Sequence, residues 1–267
     1  MPIKGLIFDA YGTLYDVHSV QAKTEQLCPG KGDLITQIWR LKQLEYTWLQ
    51  TALQGFRDFD FITRASLNFA LRAAGVEPNE SIIKPLLDKY LDLDPFPEAK
   101  EALGALRRRG GYQLAILSNG STAMLTALVR NSGLDAFLDA TISVGDARKF
   151  KPHPECYALV EARLGLKNDE VLFVSSNSFD VTGAKHFGFK VAWIRRGGVG
   201  APTRPIGPAQ MYRLLRGNAE TLGYAPDYTV AALTDLASLL CPRPLFRQKR
   251  QWPDQVRPLR LWILKSQ

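Results

Sequence analysis

A single carboxylate ends the first apolar segment of the chain. Residues 5–8 are followed directly by Asp9 and then by a turn that contains Gly12. An α/β protein places a nucleophile in this way, at the carboxyl end of a strand of its sheet. Position 11 is Tyr, where a phosphoryl-transfer site on such a strand would need a second carboxylate beside a metal. The pattern favours a nucleophile that attacks something less charged than a phosphate, although Asp9 taken alone is equally compatible with a turn or helix cap.

Three further segments place polar side chains after predicted strands or before predicted helices. The strand at 114–117 leads into Ser118, Lys151 precedes a Pro-His-Pro turn, and the strand at 170–174 leads into Ser175 and, shortly after, Asp180. Each residue alone has a commoner explanation, as a turn serine, a solvated lysine or a helix-capping aspartate. Because the carboxyl ends of parallel strands meet at one edge of a sheet, their convergence favours a shared site.

Hydrophobic periodicity predicts two kinds of region. From residue 98 to residue 194 strand-like and helix-like segments alternate, which is typical of a parallel sheet covered by helices. Residues 20–93 have a helical, aromatic-rich pattern, with Asp33 as candidate cap of one long helix. We therefore predict an α/β fold, a doubly wound parallel-sheet, Rossmann-like core domain with an inserted helical cap subdomain. The predicted bounds are 1–17 and 95–240 for the core, 18–94 for the cap and 241–267 for a basic, Pro-rich, poorly ordered tail.

Composition places the chain among ordinary globular enzymes. It has 267 residues, of which 46% are hydrophobic and 22% charged, without an apolar run long enough for a membrane span. Its start lacks the layout of a signal peptide, so we expect a cytoplasmic protein without a membrane partner. Three cysteines, Cys28, Cys156 and Cys241, form no CxxC pair, and we expect reduced thiols rather than a disulfide or zinc site.

Most of the positive charge lies in the tail. The net charge is +8, and the segment from Arg243 onward carries seven basic residues and one acidic residue. Phe246, Trp252 and Trp262 lie among them and could stack on bases, which leaves a nucleic-acid-binding protein as an alternative. No recognised nucleic-acid module accompanies the tail, so we do not expect such a partner.

Four motifs carry a resemblance to a known family. FDAYGT at 8–13, LSNG at 117–120, KPHPECY at 151–157 and VSSNSFD at 174–180 resemble the L-2-haloacid dehalogenases, the type II subgroup of the haloacid dehalogenase superfamily. ITQIWRLKQLEYTWL at 35–49 is similar to their cap. The superfamily pattern alone implies only an Asp nucleophile, whereas the AYG and SSN variants are specific to this subgroup. The resemblance covers roughly residues 3–240 and implies hydrolysis of (S)-2-haloalkanoic acids to (R)-2-hydroxyalkanoic acids, with halide as the second product and without a cofactor.

The resemblance also implies roles for the matched residues. Asp9 displaces the halide and becomes esterified, Lys151 keeps Asp9 ionised and oriented, and Asp180 activates the water that hydrolyses the ester. Ser118 and the N–H groups around it bind the substrate carboxylate. Arg40 receives the halide, because an unpaired anion in an apolar cleft is costly, although a surface arginine is its ordinary alternative. The other matched residues are Thr13 and Ser175 as donors near Asp9, Asn119 and Phe179 as helpers of Arg40, Tyr11, Leu44 and Phe59 as the apolar wall, and Asn177 and Tyr157, the latter a packing or supporting group.

Departures from the superfamily pattern bear on the chemistry. Superfamily phosphatases carry carboxylates where this chain has Tyr11 and Ser176. Magnesium takes about six oxygen ligands and leans on carboxylates, so we expect a metal-independent reaction. A magnesium-dependent phosphatase is the alternative. Leu41 stands where the family has Gln, which would shift the preference toward bulkier or less polar acids if that side chain reaches the cleft.

The cap has more aromatic surface than one small helical unit can bury. We therefore expect a homodimer, as in the enzymes that the chain resembles, since symmetric pairing commonly covers such surface. The residues behind this expectation are Trp39, Tyr46, Trp48, Phe56 and Phe61.

Overall fold

A six-stranded parallel sheet forms the centre of the protein. The computed structural model describes residues 2–196 and 207–240. Within them the strands are β1 Gly5–Phe8, β2 Gln113–Ser118, β3 Ala140–Ser143, β4 Val171–Ser175, β5 Lys190–Ile194 and β6 Tyr228–Val230. Their order is β3-β2-β1-β4-β5-β6, so the chain passes to one side of β1 and later returns to the other. This is a topological switch point, where the crevice of a doubly wound sheet opens. Asp9 directly follows β1 and therefore lies at it.

Helices flank the sheet, which confirms the predicted α/β class. The helices that alternate with the strands are α5 Ala99–Arg109, α6 Thr122–Ser132, α7 Pro154–Leu164, α8 Ser178–Phe187 and, at the end, α10 Asp235–Leu239. The residues of β1 and β4 are fully or almost fully buried, as expected for near-continuous apolar runs in a parallel sheet. Ser121 caps α6 as predicted, by accepting a hydrogen bond from the Met124 N–H at 3.2 Å.

Four helices lie between β1 and α5 in the chain. They are α1 Gln21–Leu27, α2 Gly32–Ala52, α3 Phe59–Ala73 and α4 Glu80–Tyr90, and a further helix, α9 Pro208–Arg216, packs on α2. The Trp39 indole joins α2 to α3 by donating to the Thr63 carbonyl at 2.9 Å. The prediction that Asp33 caps α2 is wrong, because the helix begins one residue earlier and Asp33 lies in its first turn.

Two chain segments connect the inserted helices to the sheet, and they run side by side. The Asp16 N–H donates to the Asp94 carbonyl at 2.8 Å, and the Phe96 N–H donates to the Leu14 carbonyl at 2.9 Å. The chain therefore leaves and re-enters the sheet layer at one place, next to the loop that follows Asp9. This arrangement holds the inserted helices above the carboxyl end of β1.

Several sequence predictions concern other parts of the chain. The tail of residues 241–267, with Cys241, lies outside the described residues. Cys28 and Cys156 are buried and unpaired. Over the described ranges no helix is long and apolar enough to cross a membrane.

Candidate active site

A buried lysine joins two carboxylates at the switch point. The Lys151 Nζ donates to Asp9 Oδ1 at 2.8 Å, to Asp180 Oδ2 at 2.7 Å and to the Leu117 carbonyl at 3.0 Å. Relative exposure is 1% for Lys151, 4% for Asp9 and 0% for Asp180. All three ammonium protons are thus used, and the site holds one net negative charge away from bulk water. Four separate segments of the chain meet at this one nitrogen.

The second oxygen of Asp9 is held from the other side. Thr13 Oγ1 donates to Asp9 Oδ2 at 3.0 Å and Asn177 Nδ2 donates to it at 2.8 Å. Asn177 also donates to the Tyr11 carbonyl at 2.9 Å, and the Ser176 N–H donates to Thr13 Oγ1 at 2.9 Å. Charge-assisted bonds of this kind are short and directional. The carboxylate of Asp9 is therefore fixed at both oxygens before any substrate arrives.

Gly12 allows the loop after Asp9 to turn back on itself. Its φ of 91° lies in the left-handed region, which residues with a Cβ rarely adopt. The turn brings Thr13 back toward Asp9, four residues earlier. Arg196 then secures it by donating to the Gly12 and Thr13 carbonyls at 3.2 and 2.8 Å, while it pairs with Glu98 at 2.9 Å.

Burial changes the acidity of Asp180. Removal from water raises its pKa to about 6, and the charge of Asp9 acts in the same direction, while Lys151 and Tyr157 oppose it. The Tyr157 hydroxyl donates to Asp180 Oδ1 at 2.8 Å. Burial also acts to lower the pKa of Lys151, but Asp180 and Asp9 outweigh burial and the net shift is upward. The site thus contains a fixed cation and a carboxylate able to accept a proton near neutral pH.

The ordinary alternative for Asp180, a helix cap, is wrong. Asn177 occupies the N-cap position of α8, and Asp180 lies inside the first turn with its side chain on Lys151 and Tyr157. Tyr157 itself is fully buried against the rings of Phe173 and Phe187. It therefore packs and also donates to Asp180.

The predicted residues at the other strand ends shape the turns around the site. Ser118 Oγ accepts from the Gly120 N–H at 3.3 Å, and Ser175 Oγ accepts from the Asn177 N–H at 3.1 Å. Asn119 Oδ1 accepts from the Lys151 N–H at 2.9 Å, which ties the end of β2 to the lysine. Both serines are completely buried. Ser175 accepts from backbone, whereas Thr13, Asn177 and Lys151 are the side chains that donate to Asp9.

An aromatic wall and an arginine complete the cleft from the inserted helices. The Tyr11 ring lies 5.4 Å from the ring of Phe59 and 5.5 Å from that of Tyr90, centroid to centroid. Arg40 is only 5% exposed, so the alternative of a surface arginine is wrong. Its Nη1 donates to Gln43 Oε1 at 2.7 Å and its Nη2 donates to the Tyr11 carbonyl at 3.3 Å.

The remaining residues that were predicted for the apolar wall and for the halide site differ in how deeply they are buried. Leu44 and Phe59 are buried, and Phe179 is half-buried with its ring 5.4 Å from that of Trp48. Leu41 is half-buried on α2, next to Arg40.

Several residues at the site were not predicted. Gln43 and Tyr90 contact Arg40 or its partner directly. Burial tends to lower the pKa of Arg40, but Tyr90, Tyr212 and Asp9 raise it, so the guanidinium stays charged. For Gln43 a signal existed, since residues three apart share a helix face. Tyr90 and Tyr212 belong to distant helices, and no local pattern connects them with Arg40.

The superfamily's magnesium site does not fit these residues. Both Asp9 oxygens already accept from Lys151, Thr13 and Asn177, and the Lys151 ammonium stands between the two carboxylates that a cation would need. In the ranges 2–196 and 207–240, no group of three or more His, Cys, Asp or Glu side chains is placed to hold a metal ion.

Comparison with known proteins identifies the family of the chain. Residues 3–188 match the haloacid dehalogenase-like hydrolase family. The chain belongs to that family. The (S)-2-haloacid dehalogenase of Xanthobacter autotrophicus is 49% identical over 243 residues, which cover 89% of this chain and 95% of that protein. Haloacetate dehalogenase H-2 of Moraxella sp. is 41% identical, over 89% of this chain and 98% of that one.

Solved structures of relatives have the same fold. L-2-haloacid dehalogenase from Xanthobacter autotrophicus superposes with a TM-score of 0.84 at 48% identity, covering 89% of this chain and 98% of that one. A structure of that enzyme with chloropropionic acid covalently bound superposes with a TM-score of 0.83 at 47% identity, with the same coverage of each chain. The putative HAD-hydrolase YfnB from Bacillus subtilis, bound to magnesium, has a TM-score of 0.63 at 18% identity, over 90% of this chain and 99% of that one, and shows the fold alone.

Removal of the buried ammonium should destabilise this dehalogenase-like hydrolase in a pH-dependent way. Lys151→Met leaves two carboxylates without a cation, which should cost about 3–5 kcal/mol of unfolding free energy near neutral pH. A carboxyl whose pKa is higher in the folded than in the unfolded protein stabilises the fold at low pH and loses that effect as pH rises. For Asp180 the pH range in which this stabilising effect is lost already runs from 3.8 to about 6. Loss of Lys151, which lowers the pKa of Asp180, moves the upper limit of that range higher.

Thermal unfolding at pH 5 and pH 8 measures this effect. We expect a small loss of melting temperature at pH 5 and a large loss at pH 8. Lys84→Met, which breaks the exposed Lys84–Asp88 pair, is the matched control and should change little at either pH. Equal losses for Lys151→Met at both pH values would show that the ammonium does not offset buried negative charge.

Proposed function

We propose that this protein hydrolyses (S)-2-haloalkanoic acids to (R)-2-hydroxyalkanoic acids through an ester on Asp9. The observation that carries the proposal is the fixed, buried Asp9 at the switch point, with Lys151 on one oxygen and neutral donors on the other. Tyr11 and Ser176 occupy the positions where a phosphatase needs carboxylates. The covalently bound chloropropionic acid in the Xanthobacter structure supports the same chemistry here.

The first step is an in-line displacement. An Asp9 oxygen attacks the α-carbon of the acid, the new C–O bond forms, and the carbon–halogen bond breaks with inversion of configuration. The halide leaves with the bonding electron pair toward Arg40, whose buried guanidinium stabilises it, helped by Asn119 and the edge of the Phe179 ring. Ser118 and the neighbouring N–H groups bind the substrate carboxylate, and Tyr11, Leu44 and Phe59 exclude water from the reacting carbon.

The second step is hydrolysis of the ester. Water attacks the Asp9 carbonyl carbon while Asp180 accepts its proton. The bond between that carbon and the ester oxygen then breaks, the departing alkoxide takes the proton from Asp180 to give the (R)-hydroxy acid, and Asp9 releases its own proton to solvent and is regenerated as a carboxylate. The negative charge of Asp9 is one of the causes that raise the pKa of Asp180. Esterification removes that charge, so the pKa of Asp180 falls and its carboxylate form is favoured during the second step. If Oδ1 carries the alkyl group, Oδ2 is the ester carbonyl. Its donors Thr13 and Asn177, at 3.0 and 2.8 Å, then stabilise the oxyanion.

We also infer that neither step uses a metal. The positive charge that magnesium supplies to the superfamily's phosphatases is supplied here by Lys151, which contacts both remaining carboxylates. A phosphatase would need a carboxylate beside Asp9 for its acid and for its metal, and position 11 offers a buried tyrosine ring instead. The phosphatase alternative is therefore not favoured.

We infer a cytoplasmic location from the cysteines. Cys28 and Cys156 are buried, unpaired thiols, and burial raises the pKa of the Cys156 thiol to about 12. Unpaired thiols are typical of a reducing compartment.

A homodimer through α2 and α3 is the assembly that the exposed surface supports. Leu49 on α2 and Leu53, at the C-cap of that helix, are 46% and 72% exposed, and Phe69 on α3 is 40% exposed. Tyr46 joins them, with its ring 6.4 Å from that of Phe69. Trp39, one of the residues behind the dimer expectation, is buried in the protein's own interior and does not belong to this face.

Halide release tests the proposed function directly. We expect chloride from L-2-chloropropionate, none above background from the D enantiomer, and the same rate after exhaustive chelation. An activity restored by magnesium, with phosphate release from phosphate monoesters, would instead establish the phosphatase alternative.

Isotope labelling tests the ester. In a single turnover in H₂¹⁸O with enzyme in excess, the label should enter the Asp9 carboxylate and be absent from the hydroxy acid. Asp9→Asn should lose turnover while its far-UV spectrum stays unchanged. Label appearing first in the product would mean that water attacks the substrate directly.

Charge on the apolar face should prevent pairing. Leu53→Asp places a carboxylate on this face at the end of α2 and should turn a dimer into a monomer in analytical ultracentrifugation. Leu222→Asp is the matched control, because Leu222 is 69% exposed but lies outside α2 and α3, and it should stay dimeric. A wild-type monomer, or a dimer with Leu53→Asp, would contradict this interface.

A further inference from the structure

We propose that Gln43 is a positioning residue that orients Arg40 with a neutral acceptor, so that the full guanidinium charge remains available to the departing halide. The inference rests on the proposed function and concerns a residue to which the resemblance assigned no role. Gln43 lies one turn after Arg40 on α2 and is completely buried.

The contacts of Arg40 are made with neutral groups. Its two terminal nitrogens donate to the Gln43 side-chain oxygen at 2.7 Å and to the Tyr11 carbonyl at 3.3 Å. Its Nε is buried without a hydrogen-bond partner among the described residues. Within those same ranges no carboxylate lies at ion-pair distance from Arg40. A buried guanidinium in such surroundings is held in place but is not neutralised, and it attracts an anion strongly.

Gln43 can orient Arg40 because its own amide is fixed. Tyr90 Oη donates to Gln43 Oε1 at 2.8 Å, and Gln43 Nε2 donates to Thr63 Oγ1 at 2.9 Å. The Thr63 hydroxyl proton is used on the Phe59 carbonyl at 2.6 Å, so Thr63 accepts from the amide. This chain of bonds allows one amide orientation, with the oxygen facing Arg40. The flipped amide would place an NH₂ group against the guanidinium and leave Tyr90 facing a donor.

The neutrality of position 43 is the functional part of the argument. A glutamate there could accept the same bonds from Arg40 and Tyr90, but it would form a buried ion pair at the same distance. Such a pair cancels most of the field that Arg40 exerts on a second anion. The glutamine therefore orients the planar guanidinium of Arg40 without placing a negative charge beside it. A residue with a purely structural role would only have to orient Arg40, and its own charge would not matter.

The charge of position 43 is tested by Gln43→Glu. For L-2-chloropropionate we expect a single-turnover rate lower by on the order of ten- to a hundredfold, with a smaller change in KM. Inhibition by bromide should weaken by a similar factor, because bromide reports on Arg40 without any chemistry. Gln26→Glu, the same substitution at an exposed position of α1, should leave both quantities unchanged.

A second variant keeps the test decisive if Gln43→Glu does not fold. Gln43→Met is close in length, removes the acceptor and keeps the charge of Arg40. Its single-turnover rate should fall while bromide inhibition changes less than in Gln43→Glu. The proposal is overturned if a folded Gln43→Glu or Gln43→Met matches the wild type in both rate and bromide inhibition. Wild-type protein that releases no halide from either enantiomer would refute the proposed function instead, so the two failures are distinguishable.

Discussion

The ammonium of Lys151 is the interaction on which the site depends. Two carboxylates, from the end of β1 and the first turn of α8, are almost fully removed from water, and neither could stay ionised there without a cation. Lys151 contacts both, and its third proton reaches the carbonyl of Leu117 at the end of β2. One nitrogen thus fixes the relative positions of two strand ends and a helix. The same contact offsets the charge of the proposed nucleophile and of the proposed base, and it sets their separation through one shared partner.

Tyr11 connects this charged centre to the inserted helices. Its carbonyl accepts from Asn177 on the sheet side and from Arg40 on the helical side, while its ring lies between those of Phe59 and Tyr90. A second aspartate at this position would have brought another charge toward Lys151 and the metal chemistry of a phosphatase. The aromatic ring removes that option and at the same time builds the wall of the cleft. Tyr11 therefore stands where a second carboxylate would be, and its ring packs against two rings of the inserted helices.

Sequence reasoning succeeded where local pattern and physical role coincide. Apolar runs followed by polar residues located five strands and the edge where Asp9 and Asp180 meet, because parallel strands must end together. It failed at the start of α2, where Asp33 has the composition of a cap but lies inside the first turn. It also missed Gln43 as a partner of Arg40, and it missed Tyr90, because the contacts of Tyr90 with Gln43 and Tyr11 join distant parts of the chain. Such contacts are decided by how helices pack on each other, which no spacing along one helix encodes.

The two buried cations of the cleft are arranged in opposite ways, and this asymmetry gives the proposed reaction its direction. Lys151 is saturated by two carboxylates and a carbonyl, so it has no capacity for a further anion. Arg40 is held by an amide oxygen and a carbonyl, so its charge is unpaired. In the proposed reaction the halide therefore leaves toward Arg40, at the side of the inserted helices, while the attacking carboxylate is fixed at the side of the sheet. Displacement with inversion requires the nucleophile and the leaving group to lie on opposite sides of the α-carbon, and the proposed roles of Asp9 and Arg40 meet this requirement with one paired and one unpaired cation.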